Sequence, residues 1–490
     1  MVATADQDLK AALAATRFGL GAAPGEIDRA RSDPQGFLHA QIRREGADQP
    51  SGDNATSANR MAAFRDYQRD RRDERMQKAS AGQDAAPTAS VEARDPVKVV
   101  GKMLREDIGA DFFARARLAA TTEAGFRERW AIFWANHFTV SATKLVTATL
   151  VGPFETEAIR PHVFGRFTDL LAAAETHPAM LTYLDQIQSI GPDSQAAEFI
   201  KAGGARRFGG GQFQKAAATR TVGLNENLAR EIMELHTVGV DGGYSQADVT
   251  EFARAMTGLS VAGPRDPDNA LGTALFRPQA HEPGARIVMG VSYPSGGKEQ
   301  GGQILADLAA KPATARFVCT KIARHFVADD PPQALVTRLE DAWLASHGDL
   351  ARVAEALIAA PEAWAPQAAK FKTPYDYIIS SYRAAGALPT GVEKIAPILT
   401  ALGQKPFSAP SPKGWAEDAQ SWAAPDAIVK RMQFAQAFSG AALRDRDPTA
   451  LAQGALGAQL TPDTAKAIAR AESRPEGFAL LLMSPEFQRR

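Results

Sequence analysis

The segment NENLAREIMELHT, residues 225–237, places three glutamates, an arginine, two asparagines and a histidine within thirteen positions. Carboxylates and imidazoles are common general bases and metal ligands in enzymes. Glu231 or Glu234 could therefore act as a general base beside Arg230, provided that burial raises the pKa of the carboxyl group. The alternative interpretation is a charged helix face in water, whose ion pairs each stabilise the helix by a few tenths of a kcal/mol.

A helical projection of this segment separates its polar residues into two groups. With a rotation of about 100° per residue, Glu226, Arg230 and Glu234 form a ladder at four-residue spacing. His236 falls in the opposite, apolar arc and cannot share an ion with Glu234 on a straight helix. Glu231 and Glu234 lie about 60° apart in the same projection, so they could share a site.

Two further histidines occupy positions where they could join such a site. His137 ends the sequence FRERWAIFWANHF and lies on its apolar stripe, whereas His281 in QAHEPGAR precedes Glu282. His137, His236 and His281 together with Glu231 would be suitable ligands for zinc or iron. A divalent metal is therefore one possible cofactor, and the sequence does not identify the cofactor further. The other reading of His137 is a core histidine bonded to a backbone carbonyl, and the spacing does not show that the three rings meet.

Apolar periodicity predicts a mainly α protein with a large helical body and a small β-hairpin region near 273–294, around the turn HEPGA. The sequence 225–258 predicts two helices joined by a turn, with Ser245 to Asp248 as a capping box. The predicted division is an N-terminal helical segment at 1–80, a flexible linker at 81–95, a central helical body at 96–365 and a C-terminal helical region with a Pro/Trp loop at 366–490. Mobile segments are expected near 80–95 and 203–220, where the second is rich in glycine.

Composition excludes several classes of protein. Lys plus Arg and Asp plus Glu are equal at 56 each, which argues against general nucleic-acid binding. The single cysteine, Cys319, excludes an intrachain disulfide and lies in an apolar helical pattern typical of a buried, unreactive thiol. The HExxH motif of zinc proteases and the GxSxG motif of serine hydrolases are absent. Neither a signal peptide nor a membrane span is recognisable, so a soluble cytoplasmic protein is expected.

The motifs RFGLGA, WANHF, HPAMLTYLD, NENLAREIMELHTVGV, YSQADVTEFARAMTGL, PATARF, GQKPFSAPSPKGW and SPEFQRR occur in this order along nearly the whole chain. With these motifs in this order, the chain resembles the bacterial family catalogued as domain of unknown function number eighteen hundred. The family motif carries over onto these residues: Asn136, His137, Asn225, Glu226, Asn227, Arg230, Glu231, Glu234, His236, Asp248, Arg254 and His281. The family usually has His-Asp followed by glycine and lysine where this chain has HEPGAR, so Glu282 and Arg286 keep the charges but alter their reach.

The resemblance implies no reaction, because the family is named for the lack of one. It does imply a partner, since genes of the family often adjoin those of a protein that looks like a sulfatase or phosphatase. We expect a hydrolase whose polar pocket lies between the helices carrying His137 and His236. Its substrate-binding residues would be Asn136, Asn225, Asn227, Glu282 and Arg286. The alternative is a non-catalytic partner or scaffold of the neighbouring enzyme, with the polar motif as a rigid core network and the loop 403–425 as the docking surface.

Overall fold

The computed structural model describes residues 2–52, 55–80, 96–202, 223–263, 266–443 and 446–490. Most of these residues are helical, and the strands form small antiparallel pairs, so the predicted mainly α architecture is confirmed. The predicted linker at 81–95 and the glycine-rich segment at 203–220 lie outside the described residues. Among the helices that are described, none combines the length and the hydropathy that a membrane crossing requires.

The helices that precede the first strand include those that carry His137 and the motif segment 225–237. They are α1 (Val2–Leu13), α2 (Glu26–Ala30), α3 (Pro34–His39), α4 (Ser57–Ser80), α5 (Pro96–Thr121), α6 (Gly125–His137), α7 (Leu145–Phe154), α8 (Phe167–Glu175), α9 (Pro178–Tyr183), α10 (Gln195–Lys201), α11 (Asn227–Glu231) and α12 (Gln246–Met256). The last two form the predicted helical hairpin, and Ser245 and Asp248 form the predicted capping box at the start of α12.

The helices that follow the strands build the C-terminal half. They are α13 (Lys298–Ala310), α14 (Pro312–Phe326), α15 (Gln333–Ala345), α16 (Leu350–Ala359), α17 (Pro374–Ala385), α18 (Ala396–Ala401), α19 (Ala419–Trp422), α20 (Pro425–Ala442), α21 (Pro448–Leu456), α22 (Pro462–Ala469), α23 (Arg474–Met483) and α24 (Pro485–Gln488). Many begin with proline in the first turn, where its missing N–H costs no helical hydrogen bond.

Four short strands lie between α12 and α13. They are β1 (Leu259–Val261), β2 (Ala274–Phe276), β3 (Arg286–Val288) and β4 (Val291–Tyr293). The small β region is confirmed, but the predicted pairing across HEPGA is wrong, because β2 pairs with β1 and β3 pairs with β4. The hairpin turn is Met289–Gly290 instead, and both residues have positive φ, as a two-residue type I′ turn requires.

Buried apolar side chains form two clusters. The first extends from Ala11 to Trp364 and includes the aromatic stripe of α6. The second joins Phe112 and its neighbours on α5 to the helices between Tyr375 and Phe487. Asn136 and His325 lie near the contact of the two clusters, where a cavity opens.

Three helices widen into a single π-turn at Ala14–Phe18, Glu155–Ile159 and Ile232–His236. Each π-turn carries or adjoins a buried polar side chain. Arg17 donates to the carbonyl of Ala363, Glu155 accepts from Arg160, and His236 is fully buried. Such insertions change the helical phase locally, and they are frequent at functional sites.

Candidate functional site

The start of the motif helix is held by Asn225. Its Oδ1 accepts from the N–H of Asn227 at 2.9 Å, and its Nδ2 donates to the carbonyls of Leu184 and Asp185 at 3.3 and 3.0 Å. Asn225 therefore accepts from the first N–H of the helix, one residue before the N-cap Glu226, and also ties the helix to the segment after α9. The side chain of Asn227 is exposed.

The ladder predicted on the motif helix is present in the structure. Arg230 lies 3.0 Å from a carboxylate oxygen of Glu226 and 3.2 Å from one of Glu234. Glu226 also accepts from Thr250 at 2.7 Å and from Gln246 at 2.8 Å, and these hydrogen bonds lower its pKa, that from Thr250 most. These contacts join α11 to α12 at a half-exposed surface, so they explain the ladder as a connection between helices.

His236 and His137 both face the interior. The ring of His236 is fully buried, and its Nδ1 lies 2.7 Å from Oε1 of Glu175, which is equally buried at the end of α8. His137 approaches the carbonyl oxygen of His236 with its Nε2 at 3.1 Å, and the two ring centroids are 5.8 Å apart. Burial lowers the pKa of His137 well below its usual range.

The contact between His236 and Glu175 is short but not aligned as a hydrogen bond. Neither ring nitrogen of His236 and neither oxygen of Glu175 has a hydrogen-bond partner among the described residues. Glu231, on the same helix, is half-buried, and burial raises the pKa of its carboxyl group, with the charge of Glu234 adding to the effect. The structure thus brings two of the predicted histidines together with Glu175, a residue that the sequence analysis did not single out.

The third predicted metal ligand, His281, lies elsewhere. Its Nδ1 is 2.9 Å from the carbonyl oxygen of Thr257 and its Nε2 is 2.8 Å from that of Gly296. Among the described residues, no three His, Cys, Asp or Glu side chains converge so that they could hold a metal ion.

Glu282 and Arg286, predicted to bind substrate, both contact backbone groups of the chain. Glu282 is buried and accepts from the N–H of Asp193 at 2.8 Å. Arg286 donates to the carbonyls of Glu282 and Pro283. Arg254 and Arg286 both approach Glu251, at 2.6 and 3.4 Å. These contacts position the β region relative to α12.

A different histidine–glutamate pair lines a cavity. His325, in the last turn of α14, has its Nδ1 at 2.9 Å from both carboxylate oxygens of Glu417, and the ring is about 5% exposed. Its Nε2 has no hydrogen-bond partner among the described residues. Both residues line a partly enclosed cavity of about 90 Å³, room for several water molecules.

The lining of this cavity also includes Tyr375, whose buried hydroxyl has no hydrogen-bond partner among the described residues. Thr373 caps α17 by accepting from the N–H of Asp376, and Pro374 occupies the first turn, so the sequence TPYD fixes Tyr375 at the helix start. Burial raises the pKa of Tyr375, which keeps the phenol protonated near neutral pH. Arg115 lies with its guanidinium 5.2 Å from the centre of the Tyr375 ring.

Buried charges behind the cavity hold the pair in defined protonation states. Burial alone would raise the pKa of Glu417, but the neighbouring charges of His325, Lys370 and Arg490 and the hydrogen bond to His325 lower it to about 2. Burial lowers the pKa of His325 below 6.5, although Glu417 opposes this. At neutral pH the pair is therefore a carboxylate beside a neutral imidazole.

Asp376 joins this region to the C-terminal residues. It lies 3.5 Å from Arg129 and contacts Arg490, whose guanidinium also donates to the carbonyl of His325 at 2.9 Å. The charges of Arg129 and Arg490 outweigh burial and lower the pKa of Asp376. Lys372, buried beside them, has its pKa lowered to about 7, mainly by burial.

The Pro/Trp loop at 403–425 forms part of the cavity lining and is held in place by hydrogen bonds with Asn136. The side-chain amide of Asn136 donates to the carbonyl of Trp415 at 3.1 Å, and its Oδ1 accepts from the N–H of Trp415 at 2.7 Å. Gly414 has φ of +85°, and a Cβ there would lie 2.4 Å from the carbonyl oxygen of Asn136. Only glycine fits this approach, and Asn136 acts by holding the loop that carries Glu417.

A third histidine cluster has the composition of a hydrolytic triad but the wrong geometry. Nε2 of His177 lies 3.3 Å from Oγ of Ser57 and 3.0 Å from Oε2 of Glu157, while Nδ1 accepts from the N–H of Ala179. Since Nδ1 is an acceptor, a neutral ring carries its proton on Nε2 and cannot remove a proton from Ser57 there. The cluster fastens α4 to α9.

A comparison with curated proteins and one with solved structures each found no match. The family model described as Protein of unknown function (DUF1800) matches residues 13–489, from α1 to the residue before the last. The chain therefore belongs to this family.

Proposed function

We propose that the protein is a hydrolase in which His325, oriented by Glu417, is the general base of the cavity beneath the Pro/Trp loop. The observation that carries the proposal is the aligned contact of Nδ1 with the carboxylate, in a side chain that lines the cavity. It leaves the buried Nε2 without a hydrogen-bond partner among the described residues. A carboxylate that accepts from one ring nitrogen fixes the tautomer in which the other nitrogen has a free lone pair. The predicted polar His/Glu pocket is thus placed at His325 and Glu417 in this proposal, and not between His137 and His236.

The proposed reaction begins with a water molecule beside Nε2. As the water oxygen attacks the electrophilic carbon or phosphorus of an ester, amide or phosphoester, its proton passes to Nε2. The imidazolium that forms is stabilised by the negative charge of Glu417, and it returns the proton to the leaving group as the scissile bond breaks. The Tyr375 hydroxyl donates to the oxyanion that develops, and Arg115 adds a positive charge at the same wall.

The test compares His325→Gln and Glu417→Gln with His39→Gln, which alters an exposed histidine remote from the cavity lining. The probes are p-nitrophenyl acetate, p-nitrophenyl phosphate and p-nitrophenyl sulfate. We expect one of them to be hydrolysed, and we expect His325→Gln to lower kcat/KM at least about 100-fold. Equal rates for His325→Gln and His39→Gln, or no hydrolysis of any probe, would contradict the proposal.

The pH profile provides an independent readout. Because the neutral imidazole is the active form, kcat/KM should rise with pH through an apparent pKa below 6.5 and then stay level through neutrality. Glu417→Gln should alter this profile, whereas His39→Gln should leave it unchanged. A rate that instead falls as pH rises from 5 to 7 would assign the reaction to a different group.

A second candidate function is that of a non-catalytic partner of the neighbouring sulfatase- or phosphatase-like protein. It is favoured by the motif residues Asn225, Glu226 and Arg230, whose polar atoms are engaged with other residues of the chain. In the loop expected to dock, Trp422 is buried and Trp415 is half-buried, so Lys405 and Lys413 would be its exposed contact points. Co-elution of the two purified proteins, lost in a Lys405→Glu, Lys413→Glu double variant, would support this function, and separate elution would refute it.

A further inference from the structure

The strand β2 has an edge that no described residue covers. In the pair of β1 with β2, Arg277 donates to the carbonyl of Gly258 at 2.8 Å, and Ala262 donates to that of Thr273 at 3.2 Å. Because hydrogen-bonded pairs alternate along an antiparallel ladder, Leu275 bonds to Ser260, and its neighbours direct their backbone groups away from β1. The N–H and C=O groups of Ala274 and Phe276 therefore have no hydrogen-bond partner among the described residues.

A groove of about 580 Å³ runs beside this edge. Its lining includes Ala274, Leu275 and Phe276 of β2, and also Leu259 of β1, which pairs with Phe276. Because consecutive side chains of a strand point to opposite faces, a lining of three consecutive residues indicates that the groove runs along the backbone of β2. All three residues are half-exposed.

The other walls of the groove are built mostly from small or apolar side chains, with Lys298 and Glu299 as the charged residues of the lining. Thr168 and Ala172 of α8 and Thr176, directly after its end, repeat at four-residue spacing and face the groove together. The lining from α12 and α13 consists of Ala255, Met256, Lys298, Glu299, Gly301, Gly302, Leu305 and Ala306. These residues leave space beside β2 that no side chain of the described residues fills.

We infer that this groove binds an extended peptide, which adds to β2 as a third strand. A strand is the partner that matches a row of unpaired N–H and C=O groups, and the small lining accepts small or apolar side chains at alternate positions of the peptide. The volume of the groove lies within the range of about 300 to 1,000 Å³ that is usual for ligand sites. An acyl chain could fill the same space, but it would leave the four backbone groups of Ala274 and Phe276 unpaired.

Hydrogen exchange of individual amides tests the inference in the full-length protein. In the free protein, the amides of Ala274 and Phe276 should exchange faster than the amide of Leu275, which is paired with β1. The probe is a mixture of blocked hexapeptides in which Ala, Ser, Val and Leu alternate, and sodium decanoate is the apolar control. The peptides should slow exchange at Ala274 and Phe276 at least about tenfold, and decanoate should not.

Two variants and a control locate the binding. Ala274→Pro removes an outward N–H, a change that edge strands tolerate, and Ala172→Trp fills the groove from an exposed position on α8. Each should weaken peptide binding, measured by fluorescence anisotropy, at least about tenfold, whereas Ala345→Trp on the exposed end of α15 should not change it. Absence of saturable binding, equal protection by decanoate, or binding that survives both variants would overturn the inference.

Discussion

Two histidine–glutamate pairs in the described part of the chain, His236–Glu175 and His325–Glu417, differ in alignment and in the burial of the carboxylate. In the first, His236 and Glu175 are both fully buried, and their 2.7 Å contact is not aligned as a hydrogen bond. In the second, the carboxylate of Glu417 is 21% exposed and is aligned with Nδ1 of His325, which lines a cavity. The same two side chains thus form a sealed contact within the core in one place and an oriented imidazole at a cavity in the other.

This difference shows why residue types alone do not identify a catalytic pair. A general base needs a lone pair that a substrate or a water molecule can reach, and a partner that fixes the tautomer. His325 lines a cavity and its Nδ1 is aligned with Glu417, although its Nε2 is itself buried. The pair His236–Glu175 has the same composition but is enclosed by Phe138, His137 and other core residues. Substitutions in the two pairs should therefore affect different properties.

The largest expected effect is on stability, at the sealed pair. Glu175→Ala leaves the fully buried ring of His236 without its neighbouring side chain and should lower the free energy of unfolding by about 3 kcal/mol. Urea denaturation monitored by circular dichroism measures this loss. Glu175→Gln, which keeps the volume, is the control and should cost less. If Glu175→Ala were to lower kcat/KM while leaving the unfolding midpoint unchanged, the pair His236–Glu175 would have a catalytic role and not a structural one.

The next effect concerns the loop that carries Glu417. Gly414→Ala forces a Cβ against the carbonyl oxygen of Asn136 at a backbone conformation with positive φ, so it should cost about 2 kcal/mol. The displaced loop should also lower kcat/KM. Gly440→Ala is the matched control, since a Cβ at that position meets nothing within 4 Å and alanine favours the helix α20. Equal melting temperatures for the two alanine variants would show that the approach of Asn136 is not restrictive.

A smaller effect should appear as a pH dependence. The pKa of Glu417 is lowered from 4.5 in the unfolded chain to about 2 in the folded protein. Its contribution to stability is therefore complete above about pH 5 and is lost as pH falls from 4.5 through 2. The difference in unfolding free energy between the wild-type protein and Glu417→Gln should shrink over this range. A difference that is constant from pH 7 to pH 2 would indicate that the carboxylate is not stabilised by its neighbours.

The smallest effect is expected at the ladder on the motif helix. Arg230→Ala removes two half-exposed ion pairs and should cost no more than about 1 kcal/mol, an amount that decreases in 1 M salt. Chemical denaturation in urea at low and high salt provides the measurement. A loss of several kcal/mol, or a loss that salt does not change, would place Arg230 in a role beyond the connection of α11 to α12.

The sequence was sufficient for features that depend on neighbours along the chain. Apolar spacing predicted the helices, the inward direction of His137 and His236, and the Glu226–Arg230–Glu234 ladder, because these follow from a few residues of one helix. Glu175 was missed, since it approaches His236 from a different helix. The partnership of His325 with Glu417 was missed for the same reason, because 92 positions separate the two residues. Neither contact leaves a periodic signal in the sequence.

The pairing of the strands was a different kind of error. The proline, glycine and alanine of HEPGA suggested a turn between β2 and β3, yet the hairpin turn lies at Met289–Gly290. Methionine rarely adopts positive φ, so the residue types at Met289–Gly290 gave no indication of a turn there. The N–H of Met289 donates to Asp248 of α12, a contact across 41 positions that helps to fix this conformation.

The π-turns have a consequence for how these helices tolerate insertions and deletions. A helix that accommodates one additional residue at Ile232–His236 returns to ordinary α geometry if a residue is removed there, without any change in the residues that precede it. A residue removed from the ordinary α-helical turn before it, Asn227–Glu231, would instead rotate the residues downstream by about 100°, and the imidazole of His236 would leave the interior. The π-turn can therefore absorb a one-residue change in length that the α-helical turn before it cannot.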